Sequence, residues 1–450
     1  MRVIHVSPTD IDGGAAKGSY NLHRGLLKAG VDSLVLVQRK YSDDPTVIPL
    51  NGSHSDTYDR VRARLDHLPL ALAGWRQQSW WTVGWLPFDI SPELARLKPD
   101  VVQFHWAGRG AAVIESMKQL RRYQIVWTLR DMWPLTGGCH YSCGCEKFLI
   151  ECRDCPQLRS NFPVDLARWQ WQRKYRSRQN LPITYVALSN WLADYARRSP
   201  LVHGNEVMVI PSGIDTKVYA PMDKARARAM WGLPAEKRIV LFGAVKVTAD
   251  RRKGFAYLQE ALTRLAAKEG SEHLMLVVFG SDVVGINTSL EARTVGWVGD
   301  DGILAQLYAC ADVMVVPSLQ ENLGKTAIEA LACGVPVVAF RNTGMPDIVD
   351  HRVNGYLARD LSAEDLAEGI AWCLEQTAES NQLSVNARSK AMRCFDVTQM
   401  AARHINLYQR LLEEGKARAT AGPASDRQLA GTDLNDIIQE GLASKPAGTP

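Results

Sequence analysis

Short apolar runs alternate with longer amphipathic stretches along this sequence, and this alternation restricts the possible folds more than any other feature. Several runs, such as the one at 313–316, are apolar on both faces, as strands are when helices cover both sides of a parallel sheet. The pattern predicts an α/β chain built on parallel sheets. The predicted strands are 3–6, 33–37, 100–104, 124–129, 184–188, 239–242, 274–279, 313–316 and 335–339.

The length of 450 residues predicts two or three domains at about 150 residues per domain. Prolines and charged residues gather over 201–237, where we place the linker. We therefore expect a first α/β domain over 1–205, with a Cys-rich insert at 139–155, and a second over 206–395. Ala, Gly, Pro and Ser predict a flexible tail over 415–450.

Charge and hydropathy exclude several classes of protein. Lys and Arg number 53 against 48 Asp and Glu, so the net charge of +5 is too small to indicate nucleic-acid binding. The N-terminus lacks the apolar core of a secretion signal, and nowhere do about 18 apolar residues run together. We expect a cytoplasmic protein with no nucleic-acid partner.

A loop of small residues follows the first predicted strand. Gly13 and Gly14 lie within it, just before a helical pattern, so a ligand could approach the backbone and the unpaired amides at the helix start. The spacing is not G-x-G-x-x-G, which disfavours a nicotinamide cofactor. A tight strand-to-helix turn with no ligand is the alternative.

Two glutamates eight residues apart follow the strand at 313–316. Glu321 is expected in a loop and Glu329 within a helix that starts near Gly324. Paired carboxylates suit the vicinal hydroxyls of a sugar or a ribose, and the amides of Asn322, Leu323 and Gly324 can bind an oxygen or a phosphate. In the alternative interpretation Glu321 is an N-terminal helix charge and Glu329 belongs to a solvated face.

Eight runs of the sequence together match the pattern of one enzyme family. They are 13–14 (GG), 136–141 (TGGCHY), 209–215 (VIPSGID), 253–254 (KG), 307–312 (LYACAD), 317–329 (PSLQENLGKTAIE), 332–338 (ACGVPVV) and 354–357 (NGYL). Over residues 1–410 the sequence resembles the retaining family-4 glycosyltransferases, in particular a Cys-containing branch that assembles bacterial polysaccharides. The resemblance implies a GT-B fold, in which two Rossmann-like lobes enclose a cleft and a helix over 396–414 packs back on the first lobe. The implied activity is transfer of a hexose from a nucleotide sugar to a hydroxyl of a glycan, which is expected to be lipid-linked.

The resemblance also implies roles for single residues. Glu321 would address hydroxyls of the donor sugar and Glu329 the ribose, while Lys253 would neutralise the diphosphate. The loop of Gly13 and Gly14 would approach that diphosphate from the other lobe. No metal or other cofactor is required for catalysis on this view, because cationic side chains and helix dipoles supply the charge.

Two positions depart from the family pattern. Where the family has Gly-Arg after the first strand of the second lobe, this chain has Gly243-Ala244, so Lys246, Arg251 or Arg252 could supply the phosphate contact. Where the family often has His-Asp, this chain has Arg130-Asp131. We treat Arg130 as a catalytic candidate, and Asp131 and His105 as candidates on the acceptor side. For His105 a purely structural role is the alternative, and for Arg130 the alternatives are a phosphate contact or an ion pair with a nearby carboxylate.

Five of the nine cysteines lie between residues 139 and 155. In a reducing compartment such a cluster indicates a metal site more than disulfides. The resemblance matches four of them, which would form a structural zinc site with no open position for catalysis; unligated thiols are the alternative. The four expected ligands are Cys139, Cys145, Cys152 and Cys155.

Tryptophans and arginines mix over 60–85 and again over 168–178. Such surfaces can contact anionic lipid headgroups, a lipid diphosphate or sugar rings, and core-covering helices with inward tryptophans are the alternative. We therefore expect peripheral contact with the inner face of an anionic membrane. Two other functions stay open at this point: a sugar-nucleotide epimerase of similar fold, and a catalytically silent nucleotide-sugar binding or scaffold protein.

Overall fold

The computed structural model describes residues 1–50, 56–76, 79–86, 89–108, 113–158, 165–245, 250–268, 271–280, 288 and 290–421. The chain forms two compact units. Unit 1 contains Met1–Ile210 and the segment that begins at Met400, and unit 2 is Pro211–Gln399. Each unit is built on its own parallel sheet, so the prediction of an α/β chain with two Rossmann-like lobes is confirmed.

Unit 1 has a seven-stranded parallel sheet in the order β3-β2-β1-β4-β5-β6-β7. The strands are β1 (Arg2–Thr9), β2 (Asp32–Arg39), β3 (Val47–Pro49), β4 (Val101–Phe104), β5 (Gln124–Leu129), β6 (Ile183–Ala187) and β7 (Val207–Val209). The helices are α1 (Gly14–Lys28), α2 (Asp56–Leu72), α3 (Ser91–Leu97), α4 (Leu166–Arg178) and α5 (Asn190–Arg198). The central strands β4, β5 and β6 are almost wholly buried, as strands covered on both faces must be.

Unit 2 has a six-stranded parallel sheet in the order β10-β9-β8-β11-β12-β13. The strands are β8 (Arg238–Ala244), β9 (Leu274–Gly280), β10 (Glu291–Gly296), β11 (Val313–Val316), β12 (Val337–Phe340) and β13 (Gly355–Ala358). The helices are α6 (Lys224–Trp231), α7 (Phe255–Ala266), α8 (Asp301–Ala309), α9 (Lys325–Ala332), α10 (Ala363–Glu379) and α11 (Gln382–Phe395), and the chain continues into α12 (Val397–Ala421).

Two of the predicted domain limits need correction. The first unit ends at Ile210 rather than 205, because β7 pairs with β6 and extends the first sheet. The last helix continues to Ala421, so residues 415–421 are helical and not part of a flexible tail. Ion pairs of Glu414 with Arg410 and Arg418, each four residues away, stabilise this extension. Residues 422–450 lie outside the described part of the chain.

The order of strands reverses once in each sheet. In unit 1 the reversal lies between β1 and β4, and in unit 2 between β8 and β11. Ligands of open α/β sheets bind outside the carboxyl ends of the strands at this point. The fold therefore marks one edge in each unit as a candidate site.

Candidate active site

In unit 2 a carboxylate and two cations meet at the point where the strand order reverses. Lys253 and Arg252 follow β8, and Glu321 follows β11, the adjacent strand. Glu321 Oε2 lies 2.6 Å from Lys253 Nζ and 3.1 Å from Arg252 Nη1. The structure thus brings together three of the predicted donor-site residues.

Close backbone packing holds the two loops in register. Leu319 N donates to Arg252 O at 2.8 Å, which joins the loop after β11 to the loop after β8. Gly254 has φ +70°, and a Cβ at this position would lie 1.7 Å from Pro317 O. Only glycine fits this position, which fixes Lys253 directly before it.

The cations keep the carboxyl group of Glu321 ionised. Burial alone would raise its pKa, but the charges of Lys253 and Arg252, together with their hydrogen bonds, lower the pKa below its ordinary value. The Glu321 side chain is 12% exposed and that of Lys253 is 25% exposed, so the pair remains open to a small polar ligand. Arg252 Nη2 also lies 2.9 Å from Asp250 Oδ2, so the site combines two fixed carboxylates with two cations that can meet a further anion.

The segment after Glu321 leads into α9. Asn322 is buried, and Gly344 lies so close that a Cβ there would be 1.8 Å from Asn322 O. Leu323 is half-buried, and Gly324 caps the start of α9 without a capping side chain. The amides at this helix start are therefore placed beside Glu321, as the sequence predicts.

Glu329 has different surroundings from Glu321. It is only 2% exposed, accepts a hydrogen bond from Tyr308 Oη at 2.9 Å, and lies 2.8 Å from Lys325 Nζ. Burial lowers the pKa of Lys325, but the Glu329 charge outweighs this and raises it above the ordinary value. The alternative of a solvated face is therefore wrong for Glu329, whereas its predicted contact with a ribose stays a prediction.

In unit 1 the predicted glycine loop leads into α1. Gly13 and Gly14 are exposed, with open space where a Cβ would lie, and Gly13 caps α1 with φ +97°. Asp10, on the same loop, accepts hydrogen bonds from the backbone amides of Tyr41 and Ser42 and so ties this loop to its neighbour. The loop leaves room for a ligand at the start of α1.

A buried chain of hydrogen bonds contains two further candidates. Arg130 Nη2 donates to His105 Nδ1 at 3.3 Å, because a guanidinium can only donate. His105 then carries its proton on Nε2, which donates to His5 Nδ1 at 3.0 Å. The guanidinium also packs against Gly18 of α1, where a Cβ would be 2.5 Å from Nη1. Burial lowers the pKa of Arg130 to about 10 and keeps the pKa of both histidines well below the usual value.

His105 also reaches a small cavity of about 10 Å³ at the carboxyl ends of β1 and β4. The cavity is lined by Ser7, Pro8 and Trp106 among others, and it lies where the strand order reverses in unit 1. This volume holds about one water molecule. The predicted acceptor role of His105 stays a prediction.

Asp131 is buried and makes polar contacts with two other residues. It accepts from Trp133 N at 2.9 Å and lies 2.5 Å from His140 Nδ1, while His140 Nε2 lies 2.8 Å from Thr82 Oγ1. Sequence reasoning missed His140 as a partner, although its place in the 136–141 run could have indicated it. Asp131 thus orients His140, and its predicted acceptor role stays untested.

The four predicted metal ligands lie around one cavity. Cys139 and Cys152 are buried, and Cys145 and Cys155 are half-buried. All four line a cavity of about 20 Å³, and Gly137 N donates to Cys152 Sγ at 3.1 Å. Within the described residues, however, no group of three or more His, Cys, Asp or Glu side chains already has the spacing of a metal site.

The two aromatic segments divide between core and surface. Trp81 and Trp171 are fully buried, as the core-covering alternative requires, whereas Trp80 is 56% exposed. Trp169 of α4 is partly exposed beneath the guanidinium of Arg173.

Lys246, a predicted donor contact, lies outside the described residues.

Comparison with known proteins shows which protein families the sequence matches. Residues 12–218 match the family model described as Glycosyltransferase Family 4, and residues 236–376 match Glycosyl transferases group 1. A D-inositol 3-phosphate glycosyltransferase of Saccharomonospora viridis is 26% identical over 284 residues, which are 60% of this chain and 64% of that protein. The alignments with the first three curated relatives cover 64%, 38% and 55% of their lengths.

Solved structures share the fold. HepE of Anabaena, in complex with UDP and glucose, is similar with a TM-score of 0.58 and 17% identity, covering 91% of this chain and 100% of that one. WaaG, a glycosyltransferase involved in lipopolysaccharide biosynthesis, has a TM-score of 0.59 and 17% identity, covering 90% and 99%. At these identities the likeness shows the fold.

Proposed function

The chain belongs to the family-4 glycosyltransferases of GT-B fold, and on that basis we propose that it moves a sugar from a nucleoside diphosphate sugar to a glycan hydroxyl with retention of configuration. The observation that carries this proposal is the contact of Glu321 with Lys253 and Arg252 at the carboxyl ends of β8 and β11. These groups match the two parts of such a donor. A diphosphate needs cations, and a sugar needs fixed hydrogen-bond acceptors.

Both ion pairs of Glu321 use Oε2. In the proposed complex the diphosphate accepts from Lys253 and Arg252, while Glu321 Oε1 accepts from a hydroxyl of the donor sugar. The carboxylate then holds the sugar against the cations that bind its leaving group. This arrangement places stabilising charge where negative charge develops as the glycosidic bond breaks.

In the proposed reaction the acceptor oxygen bonds to the anomeric carbon on the face that the diphosphate leaves. The bond from that carbon to the phosphate oxygen breaks, and the leaving phosphate oxygen takes the proton of the acceptor hydroxyl. Lys253 and the amides at the start of α9 stabilise the diphosphate as it leaves. Of the other candidates, Glu329 would contact the ribose, and Gly13 and Gly14 the diphosphate.

The choice of a nucleoside diphosphate donor is supported by HepE, which is similar in fold and whose complex holds UDP and glucose. A lipid-linked glycan acceptor is supported by WaaG, which acts in lipopolysaccharide biosynthesis, and by the resemblance to the polysaccharide-assembling branch. We propose a place on the inner face of the cytoplasmic membrane for the same reason.

The test starts with a panel of nucleotide sugars and thermal stabilisation, because a ligand that binds only the folded protein raises its melting temperature. The stabilising donor is then incubated with and without glycan acceptors. NMR of the product shows the anomeric configuration of the transferred sugar. A product with the same configuration, α or β, as the donor supports the proposal. Conversion of the donor without acceptor would indicate an epimerase, and binding without product across the acceptors would indicate a silent binding protein.

We also propose that Cys139, Cys145, Cys152 and Cys155 hold a structural zinc ion. Their common cavity and the amide that donates to Cys152 Sγ support this. When bound, the ion would join the 139–145 and 152–155 segments, and it has no part in the transfer step.

A further inference from the structure

Helix α2 presents a row of apolar side chains to solvent. Val61, Leu65, Leu68 and Leu72 are 47%, 44%, 50% and 64% exposed. Their spacings of four, three and four residues place all of them on one face of the helix. Scattered exposed leucines are ordinary on a protein surface, but a continuous row of four is not.

The opposite face of α2 is firmly packed. Asp66 and Leu70 are buried on it, and Ala73 is buried just after the helix. Because the inner face of α2 packs against the core of unit 1, the outer row stays exposed in the folded protein. The row is therefore a property of the native surface.

A tryptophan extends the apolar row. Trp85 Nε1 donates to Leu65 O at 2.9 Å, which fixes the indole beside the middle of the helix, and Trp85 is itself 37% exposed. Indole rings favour the boundary between an apolar phase and water. We call Val61, Leu65, Leu68, Leu72 and Trp85 the α2 face.

Cations border the α2 face. At 100° per residue, Arg60 and Arg64 lie along one side of the row and Arg62 along the other. From Arg60 to Leu72 the one acidic residue is Asp66, which is buried on the inner side. An apolar row between arginines matches the chemistry of an anionic lipid surface, which has acyl chains below and phosphates around them.

We infer that the α2 face docks on an anionic membrane, with α2 lying in the plane of the headgroups. No helix in the described part of the chain is long and apolar enough to cross a bilayer. A second copy of the chain is a poorer occupant, because face-to-face packing would bring the arginine rows together. The inference deepens the proposed function and rests on its lipid-linked acceptor, since docking would bring the enzyme to such a substrate.

The test is flotation of the purified full chain with vesicles of phosphatidylcholine alone or with about one third phosphatidylglycerol. We expect binding to the anionic vesicles that falls as salt rises, since headgroup attraction is screened within about 10 Å at 0.1 M. The double variant Leu68→Ser/Leu72→Ser should lower the bound fraction about tenfold or more. The variant Arg60→Ala/Arg64→Ala should lower it at low salt and have little effect at high salt.

The matched control is Val385→Ser/Met392→Ser on α11, two apolar residues of similar exposure in unit 2, which should bind as the wild type does. If the wild-type protein binds neither vesicle type, the inference is overturned. It is also overturned if the Leu68→Ser/Leu72→Ser variant binds anionic vesicles as well as the wild type does. A wild-type dimer in size-exclusion chromatography that the α2 variant converts to monomer would also overturn it, in favour of a second copy. Flotation requires no turnover, and donor stabilisation measured on the same samples reports on the proposed function separately.

Discussion

Lys253 Nζ lies 2.6 Å from Glu321 Oε2, although the two residues are 68 positions apart in the sequence. The fold makes this contact, because β8 and β11 are parallel neighbours and their carboxyl ends meet at one edge of the sheet. Arg252 contacts the same oxygen from the same loop. Arg252 also pairs with Asp250 Oδ2 at 2.9 Å, so the unit holds two cations between two carboxylates at the place where a ligand is expected.

Replacing Glu321 with Gln should remove the charged acceptor while keeping the shape of the site. We expect kcat/KM to fall by about 10²- to 10³-fold, the usual loss when one preorganised polar contact to a reacting group is removed. The melting temperature should change little. The control is Glu364→Gln, whose side chain is 63% exposed on α10, and which should leave transfer unchanged. Transfer by the Glu321 variant within twofold of wild type would contradict the assignment.

Replacing Lys253 with Met should change the pH profile as well as the rate. Burial raises the pKa of Glu321 and the two cations lower it, so losing one cation lets the pKa rise. The carboxylate is then protonated at higher pH, and the acid limb of kcat/KM should move upward compared with the wild type. Lys268→Met, on the exposed side after α7, is the control. A variant that loses rate but keeps the wild-type acid limb would show that Lys253 does not set the charge of Glu321.

Substitution of Gly254 tests the packing of the loop after β8 against the loop after β11. The positive φ of Gly254 is shared by Gly204, but a Cβ at Gly254 would meet Pro317 O at 1.7 Å, whereas at Gly204 nothing lies within 4 Å. Gly204→Ala should therefore cost only the strain of the left-handed backbone, about 1 kcal/mol. Gly254→Ala should cost more than that and weaken donor stabilisation, because the loop that carries Lys253 has to move. Equal unfolding free energies for the two variants would contradict this account.

The parallel sheets were predictable because their central strands are apolar on both faces, as in β11 and β5. The edge strand β10 gave no such signal, since its first four residues are exposed. Glu321 was predictable from residue type and position, whereas Lys253 was predicted from the family resemblance. The hydrogen bond between His5 and His105 was not predictable, because His5 on β1 and His105, directly after β4, become neighbours only through the pairing of β1 with β4.

The surroundings of Glu329 show a second limit. Apolar neighbours in the sequence indicated that it is not on a solvated face, and it is indeed buried. Its partners Tyr308 and Lys325 come from α8 and from its own helix. Residue types alone could not show whether a buried carboxylate is directed to a ligand or to a tyrosine.

The cysteine cluster yields a measurable prediction. If the four cysteines bind zinc, the purified protein should contain about one equivalent, and a strong chelator should lower its melting temperature. Cys152→Ser/Cys155→Ser should lose the metal, whereas Cys143→Ser, at an exposed cysteine, should retain it. Less than about a tenth of an equivalent in protein prepared without chelators would contradict the site.

Acid should destabilise unit 1 through its buried histidines, and His404 of α12 gives the sharpest test. Burial lowers its pKa to about 4, although a hydrogen bond to Met400 O acts in the opposite direction. The unfolded chain takes up the proton near pH 6.5, whereas the folded one does so only near pH 4, so stability is lost as pH falls below about 6.5. At pH 5 this difference corresponds to about 2 kcal/mol for one such histidine.

Urea unfolding at pH 7 and pH 5 measures this effect through tryptophan fluorescence, since most of the thirteen tryptophans lie in unit 1. In His404→Leu the loss of stability between the two pH values should be smaller than in the wild type by about that amount. His273→Leu, whose side chain is 65% exposed, should keep the wild-type difference. An unchanged pH dependence in the His404 variant would show that this ring does not remain neutral in the folded protein at pH 5.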